Sequence, residues 1–179
     1  MKKLVFLLLI CFLTLSLVGI SNAINNAYLP KLTEESPQIF KQPNGPFAVM
    51  YFCEYAQGNY IGVIYYDRMK GPINSAWKIS ERIWQGSEWS SDVNNFAWSP
   101  SGKYLYVATA DVYGNGGLFE LNLLEKTSKT IFPLKEDEIK LKDRQYLSVY
   151  IKSIDTLSKK LNAVIETDKG KFERIYSMI

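Results

Sequence analysis

Histidine is absent from this chain. Its absence removes Ser-His-Asp and Cys-His catalysis, along with the commonest zinc and copper ligand sets. Cysteine is nearly absent too. Cys11 falls in an N-terminal apolar run, and Cys53 sits inside the apolar segment Met50-Tyr51-Phe52-Cys53, where a thiol packs as a small hydrophobe. Once the N-terminal run is removed, Cys53 has no intramolecular partner, and no disulfide framework can supplement the core. A charge excess is also missing: 21 lysines and arginines face 18 aspartates and glutamates, a balance that gives nucleic acid no electrostatic purchase. Helical periodicity is scarce. The one candidate, Leu134 to Lys142, crowds lysine and glutamate around few apolar positions and reads as a solvated loop between units.

The apolar run has the build of an export signal. Lys2-Lys3 precede a charge-free stretch from Leu4 to Ile20, and Ser21-Asn22-Ala23 closes it with small residues. Residues 1–23 are therefore expected to be removed near Ala23, giving an exported protein, periplasmic or secreted. A membrane anchor competes, because the run approaches the ~18 residues a span needs; Thr14, Ser16 and Gly19 interrupt it. Lipidation at Cys11 would require a small residue where Ile10 stands. Loss of Lys2 and Lys3 leaves the remainder nearly neutral and long enough for one domain. Residues 24–38 hold Pro30 and Pro37, show no sustained period, and read as an extended leader that could supply one edge strand.

From Ile39 onward the signals are those of β structure. Aromatics make up 14% of the chain, runs such as Ile61-Gly62-Val63-Ile64-Tyr65-Tyr66 alternate with glycine-bearing turns, and polar and apolar residues take turns along Lys103 to Thr109. These segments echo one another. Pro100-Ser101-Gly102 before Tyr104-Leu105-Tyr106-Val107 has a counterpart 57 residues earlier in Pro43-Asn44-Gly45 before Phe47-Ala48-Val49-Met50. At the same offset Asp111 matches Glu54 and Asp168, while Lys103 matches Lys160 and Val107 matches Val164. The spacing predicts an all-β, partial propeller-like array of about three antiparallel four-stranded meanders over residues 39–179, with units near 39–92, 93–142 and 143–179.

Phe96-Ala97-Trp98-Ser99-Pro100-Ser101-Gly102-Lys103-Tyr104-Leu105-Tyr106-Val107 resembles the WD40-like β-propeller repeat of the TolB family and of prolyl oligopeptidase propellers. Gly117 to Leu123 continues the likeness into a third strand, and Ser101 stands where the motif usually carries aspartate. The resemblance implies a propeller scaffold whose loops engage a protein or peptide partner, with peripheral association at the cell envelope. It carries over no catalytic residue, because the matching positions are structural. About three units are visible where a closed propeller needs at least four, so an open array and a ring completed by a second chain both stand as expectations.

No catalytic, cofactor-binding or metal-binding residue is assigned, and no cofactor is expected. Glu34-Glu35 and Glu136-Asp137-Glu138 lie in polar stretches and read as solvated charge. Asp111 to Gly116 has oxygen ligands and glycines but lacks the spacing and terminal glutamate of a calcium loop, so a hairpin turn is expected there. Trp77, Trp84, Trp89 and Trp98 with Tyr51, Tyr55, Tyr65 and Tyr66 could form a stacking surface, although most are expected in the core. Trp89 is the exception. It lies in the polar connection from Gly86 to Asp92, and Trp89, Glu88 and Asp92 are the expected partner-binding residues. The chain accordingly reads as a non-enzymatic scaffold or binding protein engaging a protein or glycan. The alternative is a carbohydrate- or peptide-processing enzyme, or its accessory domain, working through carboxylates.

Overall fold

The computed structural model describes residues 27–54, 58–67, 71–78 and 92–179. The expected export signal and the whole of the 79–91 connection lie outside them. The chain is all-β and antiparallel, as the repeat spacing predicts. β1 (Gln38–Lys41), β2 (Phe47–Glu54), β3 (Gly58–Asp67) and β4 (Gly71–Lys78) form a four-stranded meander in chain order. β5 (Asp92–Trp98), β6 (Tyr104–Asp111), β7 (Leu118–Asn122) and β8 (Thr127–Phe132) form a second. β9 (Leu147–Asp155), β10 (Lys160–Thr167) and β11 (Gly170–Ser177) form a third, with three strands.

The second and third meanders are one curled, seven-stranded sheet, because β6 outruns β7 and offers its free end to β9 through Ala110↔Ser148 and Asp111↔Leu147. Glycine makes that junction possible. A Cβ on Gly116 would stand 2.2 Å from the Leu147 carbonyl oxygen, so only a bare α-carbon admits the β9 backbone there.

β5 and β6 of the middle meander are buried on both faces, which explains why β6 is apolar beyond simple alternation. Its odd positions Leu105 and Val107 join a core with Phe47, Val49, Ile61 and Val63 of the first meander. Its even positions Tyr106 and Ala108 join a second core with Val149, Ile151, Leu161 and Ile165 of the third. Phe96 and Trp98 of β5 face the first core and Ala97 the second. Two hydrophobic interfaces thus stack three sheet layers. In β10, by contrast, Leu161, Ala163 and Ile165 point inward and Asn162, Val164 and Glu166 outward, the pattern of a layer with one face exposed.

The internal echo is visible in individual hydrogen bonds. The Gln42 N–H donates to the Phe47 carbonyl and, 57 residues on, the Ser99 N–H donates to the Tyr104 carbonyl, both at 2.9 Å. In each turn the leading side chain then accepts the returning amide: Phe47 N–H to Gln42 Oε1 at 3.3 Å and Tyr104 N–H to Ser99 Oγ at 3.0 Å. The glycines differ in purpose. Gly102 takes the left-handed conformation at φ 72°, and so does Lys159 at the matching position, at φ 51°. Gly45 does not; a Cβ there would overlap the end of the Gln42 side chain, so a larger residue would have to displace the amide that accepts the Phe47 N–H.

One expectation is overturned. Lys135–Lys140 forms a short helix, α1, where a solvated loop is expected. Apolar burial does not hold it, since Ile139 is 77% exposed. Asp137 does: its carboxylate accepts the Leu134 N–H at 3.1 Å and pairs with Arg174 of β11 at 2.7 Å. Burial alone would raise the Asp137 pKa, but the Leu134 amide and the Arg174 guanidinium outweigh it and hold the carboxyl below its usual range. A charge anchor of this kind leaves no mark in hydrophobic periodicity.

Candidate functional site

β5 begins with two asparagines that stitch the layers together. A bulge between Val93 and Asn95 inserts Asn94 as an extra residue. Asn95 is buried and reproduces a backbone rung: its Nδ2 donates to the Ile151 carbonyl at 2.8 Å, and its Oδ1 accepts the Ile151 N–H at 3.0 Å. Asn94 is directed instead to the start of β9, where its Nδ2 donates to Ser148 Oγ at 2.8 Å and to the Val149 carbonyl at 2.7 Å.

Asn94 thereby forms the rim of a concavity of about 270 Å³ on the outer face of the third meander, lined also by Ser148, Tyr150, Val164, Glu166 and Lys171. Register explains the grouping. Glu166 of β10 lies opposite Ser148 of β9 on one side and Lys171 of β11 on the other, and the next row on that face is Tyr150, Val164 and Glu173. Tyr150 is 51% exposed, which leaves much of its ring available to a ligand. Lys171 and Glu166 form an ion pair at 3.4 Å with both side chains more than half exposed, a geometry worth little to stability.

This site can hold a ligand through an aromatic face, amide and hydroxyl groups, one carboxylate and one ammonium. It is poorly equipped for hydrolysis. Among the described residues, Glu166 is the only carboxylate lining the concavity. The nearest acid along the same face, Glu173, is bound by Lys152 and Asn162, which hold its carboxyl below its usual range, whereas a general acid must be raised.

The expected site residues fare differently. Trp89 and Glu88 lie outside the described residues, as do Trp84 and Tyr55. Asp92 serves as a fastener, accepting the Asn59 N–H at 2.7 Å and so tying β3 to β5. Trp98 and Tyr51 are core residues, Trp98 edge-on to Phe96. Asp111 to Gly117 is a turn: Asp111 Oδ1 accepts the Tyr113 N–H at 2.6 Å, and Arg144 Nε donates to the Gly114 carbonyl at 2.7 Å. Among the described residues no group of three or more histidine, cysteine, aspartate or glutamate side chains is placed to hold a metal ion.

Sequence reasoning misses Tyr150, Glu166 and Lys171, which come from three strands and carry no motif. Their one sequence signal is the outward phase of β9 and β10. The Asn94-Asn95 pair ahead of Phe96-Ala97-Trp98 is a stronger signal, since two amides at the head of a buried strand need partners. No family model matches the chain, and no curated protein or solved structure matches it.

Proposed function

We propose that this chain is an exported, non-enzymatic binding scaffold built on propeller repeats of the TolB and prolyl oligopeptidase kind, and that it binds a glycan on the outer face of its third meander. The observation that carries the reading is the half-exposed Tyr150 ring set in a concavity with Asn94, Ser148, Glu166 and Lys171. Sugars present an apolar C–H face and a rim of hydroxyls, which suits an aromatic platform ringed by amide, hydroxyl and charged groups. The stacked layers with two cores support the propeller reading, as does the 57-residue recurrence of the turn bonds. Trp89 and Glu88 on the connection that precedes β5, with Asp92 at the first position of β5, stay in the proposal as a second contact region.

A glycan array read against Tyr150→Ala and Trp89→Ala tests it. Tyr150→Ala is expected to lose at least tenfold in affinity for the glycan that the parent retains, with its melting temperature unchanged. Retained binding by Tyr150→Ala would remove the concavity as the site, and loss in Trp89→Ala alone would move the site to the connection.

A further inference from the structure

One end of the molecule is built from turns that share an unusual feature. In the β7–β8 turn, Asn122 Oδ1 accepts the N–H groups of Leu124 and Glu125 at 3.2 and 3.1 Å, and Lys126 closes the turn at φ 55°. In the β9–β10 turn, Asp155 Oδ1 accepts the N–H groups of Leu157 and Ser158 at 3.0 and 3.1 Å, and Lys159 closes at φ 51°. Each turn uses the backbone amide of its leucine and leaves the side chain in solvent, 68% exposed at Leu124 and 94% at Leu157. Turn geometry calls for small or polar residues at such places, so stability does not account for two apical leucines.

These two tips lie at the same end. The Leu123 N–H bonds the Lys103 carbonyl, Ser101 Oγ donates to the Ile179 carbonyl, and the Met178 N–H bonds the Lys159 carbonyl, a chain of contacts running from one tip to the other. Ile179 adds a third exposed aliphatic side chain. Around them stand the exposed lysines Lys103, Lys126, Lys159 and Lys160, against two acids, Glu125 and Asp155, the second of which is turned onto its own turn amides. The opposite end also exposes apolar groups, at Val112, Tyr113 and Ile139, but there the exposed acids Glu136, Glu138, Asp143 and Asp168 match the exposed bases Lys135, Lys140, Lys142 and Lys169.

We propose that the end formed by the Leu124 and Leu157 tips docks on an anionic lipid surface. The leucines enter the headgroup boundary and the lysines meet lipid phosphates. Aliphatic tips alone partition weakly, and basic residues alone hold a protein outside the bilayer; the two together make a reversible peripheral contact. The charge asymmetry between the two ends selects this one.

Hydrogen exchange of the full chain, read by mass spectrometry, tests the docking without interference from the Leu4–Ile20 segment, which can associate with lipid by itself. The probes are phosphatidylcholine vesicles with and without roughly a quarter phosphatidylglycerol. At least threefold slower exchange is expected across 122–126 and 155–160 on the anionic vesicles only, with 112–117 unchanged. The surface double variant Leu124→Ser/Leu157→Ser should lose that protection while melting like the parent, and raised salt should weaken it in the parent. Unprotected tips on anionic vesicles would overturn the proposal, as would equal protection on pure phosphatidylcholine or protection that survives the double variant.

Discussion

At the scale of single residues, matching positions in the repeats do different work, and substitutions should expose it. Gly102 sits at φ 72°, so Gly102→Val is expected to cost roughly 1–2 kcal/mol, read as a lowered denaturant midpoint. Lys159 adopts the same conformation with a side chain, so Lys159→Gly should be neutral or stabilising by up to about 1 kcal/mol. If both variants shift stability in the same direction, the shared left-handed geometry is wrong. Ser101→Asp fits the motif this segment resembles and reads from sequence as neutral or mildly stabilising, but the structure reverses that sign. Ser101 Oγ donates to the Ile179 carbonyl at 3.1 Å, and a carboxylate cannot donate; a cost of roughly 1 kcal/mol is expected in the same assay.

Between elements, the decisive contacts are polar side chains that stand in for ladder bonds. Asn95 serves both backbone groups of Ile151 inside the protein, so Asn95→Ala should destabilise by roughly 2–4 kcal/mol by leaving a donor and an acceptor unpaired. Asn94→Ala, nearer the surface, should cost less and should widen the concavity. Asp137→Asn removes the charge that anchors α1 to β11, and a loss of roughly 1–3 kcal/mol is expected, with Arg174 left over the Phe132 and Phe172 rings. The Asp137 contribution has a definite pH sense. Its carboxyl titrates below the unfolded value, so its stabilisation is present above the unfolded pKa and disappears as pH falls through the folded one. The parent should therefore lose more stability than Asp137→Asn on acidification below about pH 4, measured by urea unfolding at stepped pH.

For the whole molecule, the two buried cores set the alkaline limit. Burial, reinforced by Cys53 and Asp92, pushes the Tyr51 phenol up to about 12, and burial raises Tyr106 as well. Both phenols stay protonated in the folded protein after unfolded tyrosines begin to ionise near pH 10, so their contribution to stability should be constant below about pH 10 and fall from there toward pH 12. A melting temperature that holds steady across that interval would contradict the burial of both rings. Assembly has its own expectation. β11 forms one edge of the seven-stranded sheet, with β8 at the other end of the strand order, and two copies joined at β11 antiparallel about a two-fold would set residues of one face opposite each other. The longest such registers oppose Glu173 to Glu173 or Arg174 to Arg174, which disfavours pairing. Sedimentation should report a single chain; a dimer abolished by Ile175→Pro would show that the edge pairs despite this.

Much of the architecture could be read from the sequence because it is local. Strand alternation, the Pro-Ser-Gly turn and the 57-residue recurrence each depend on neighbours along the chain, and they sufficed to specify antiparallel meanders, although the third has three strands where four are expected. The short helix was not legible, since Asp137 is held by Arg174, 37 positions away. The candidate site was not legible either. Asn94, Tyr150, Glu166 and Lys171 belong to four strands and meet only because a bulge in β5 and the registers of β9, β10 and β11 bring them to one face. Composition and spacing determined which segments become strands, through backbone sterics and periodic burial. The close approach of β9 to β6 over Gly116 decided how the layers join, and with it which polar groups face one another across that surface.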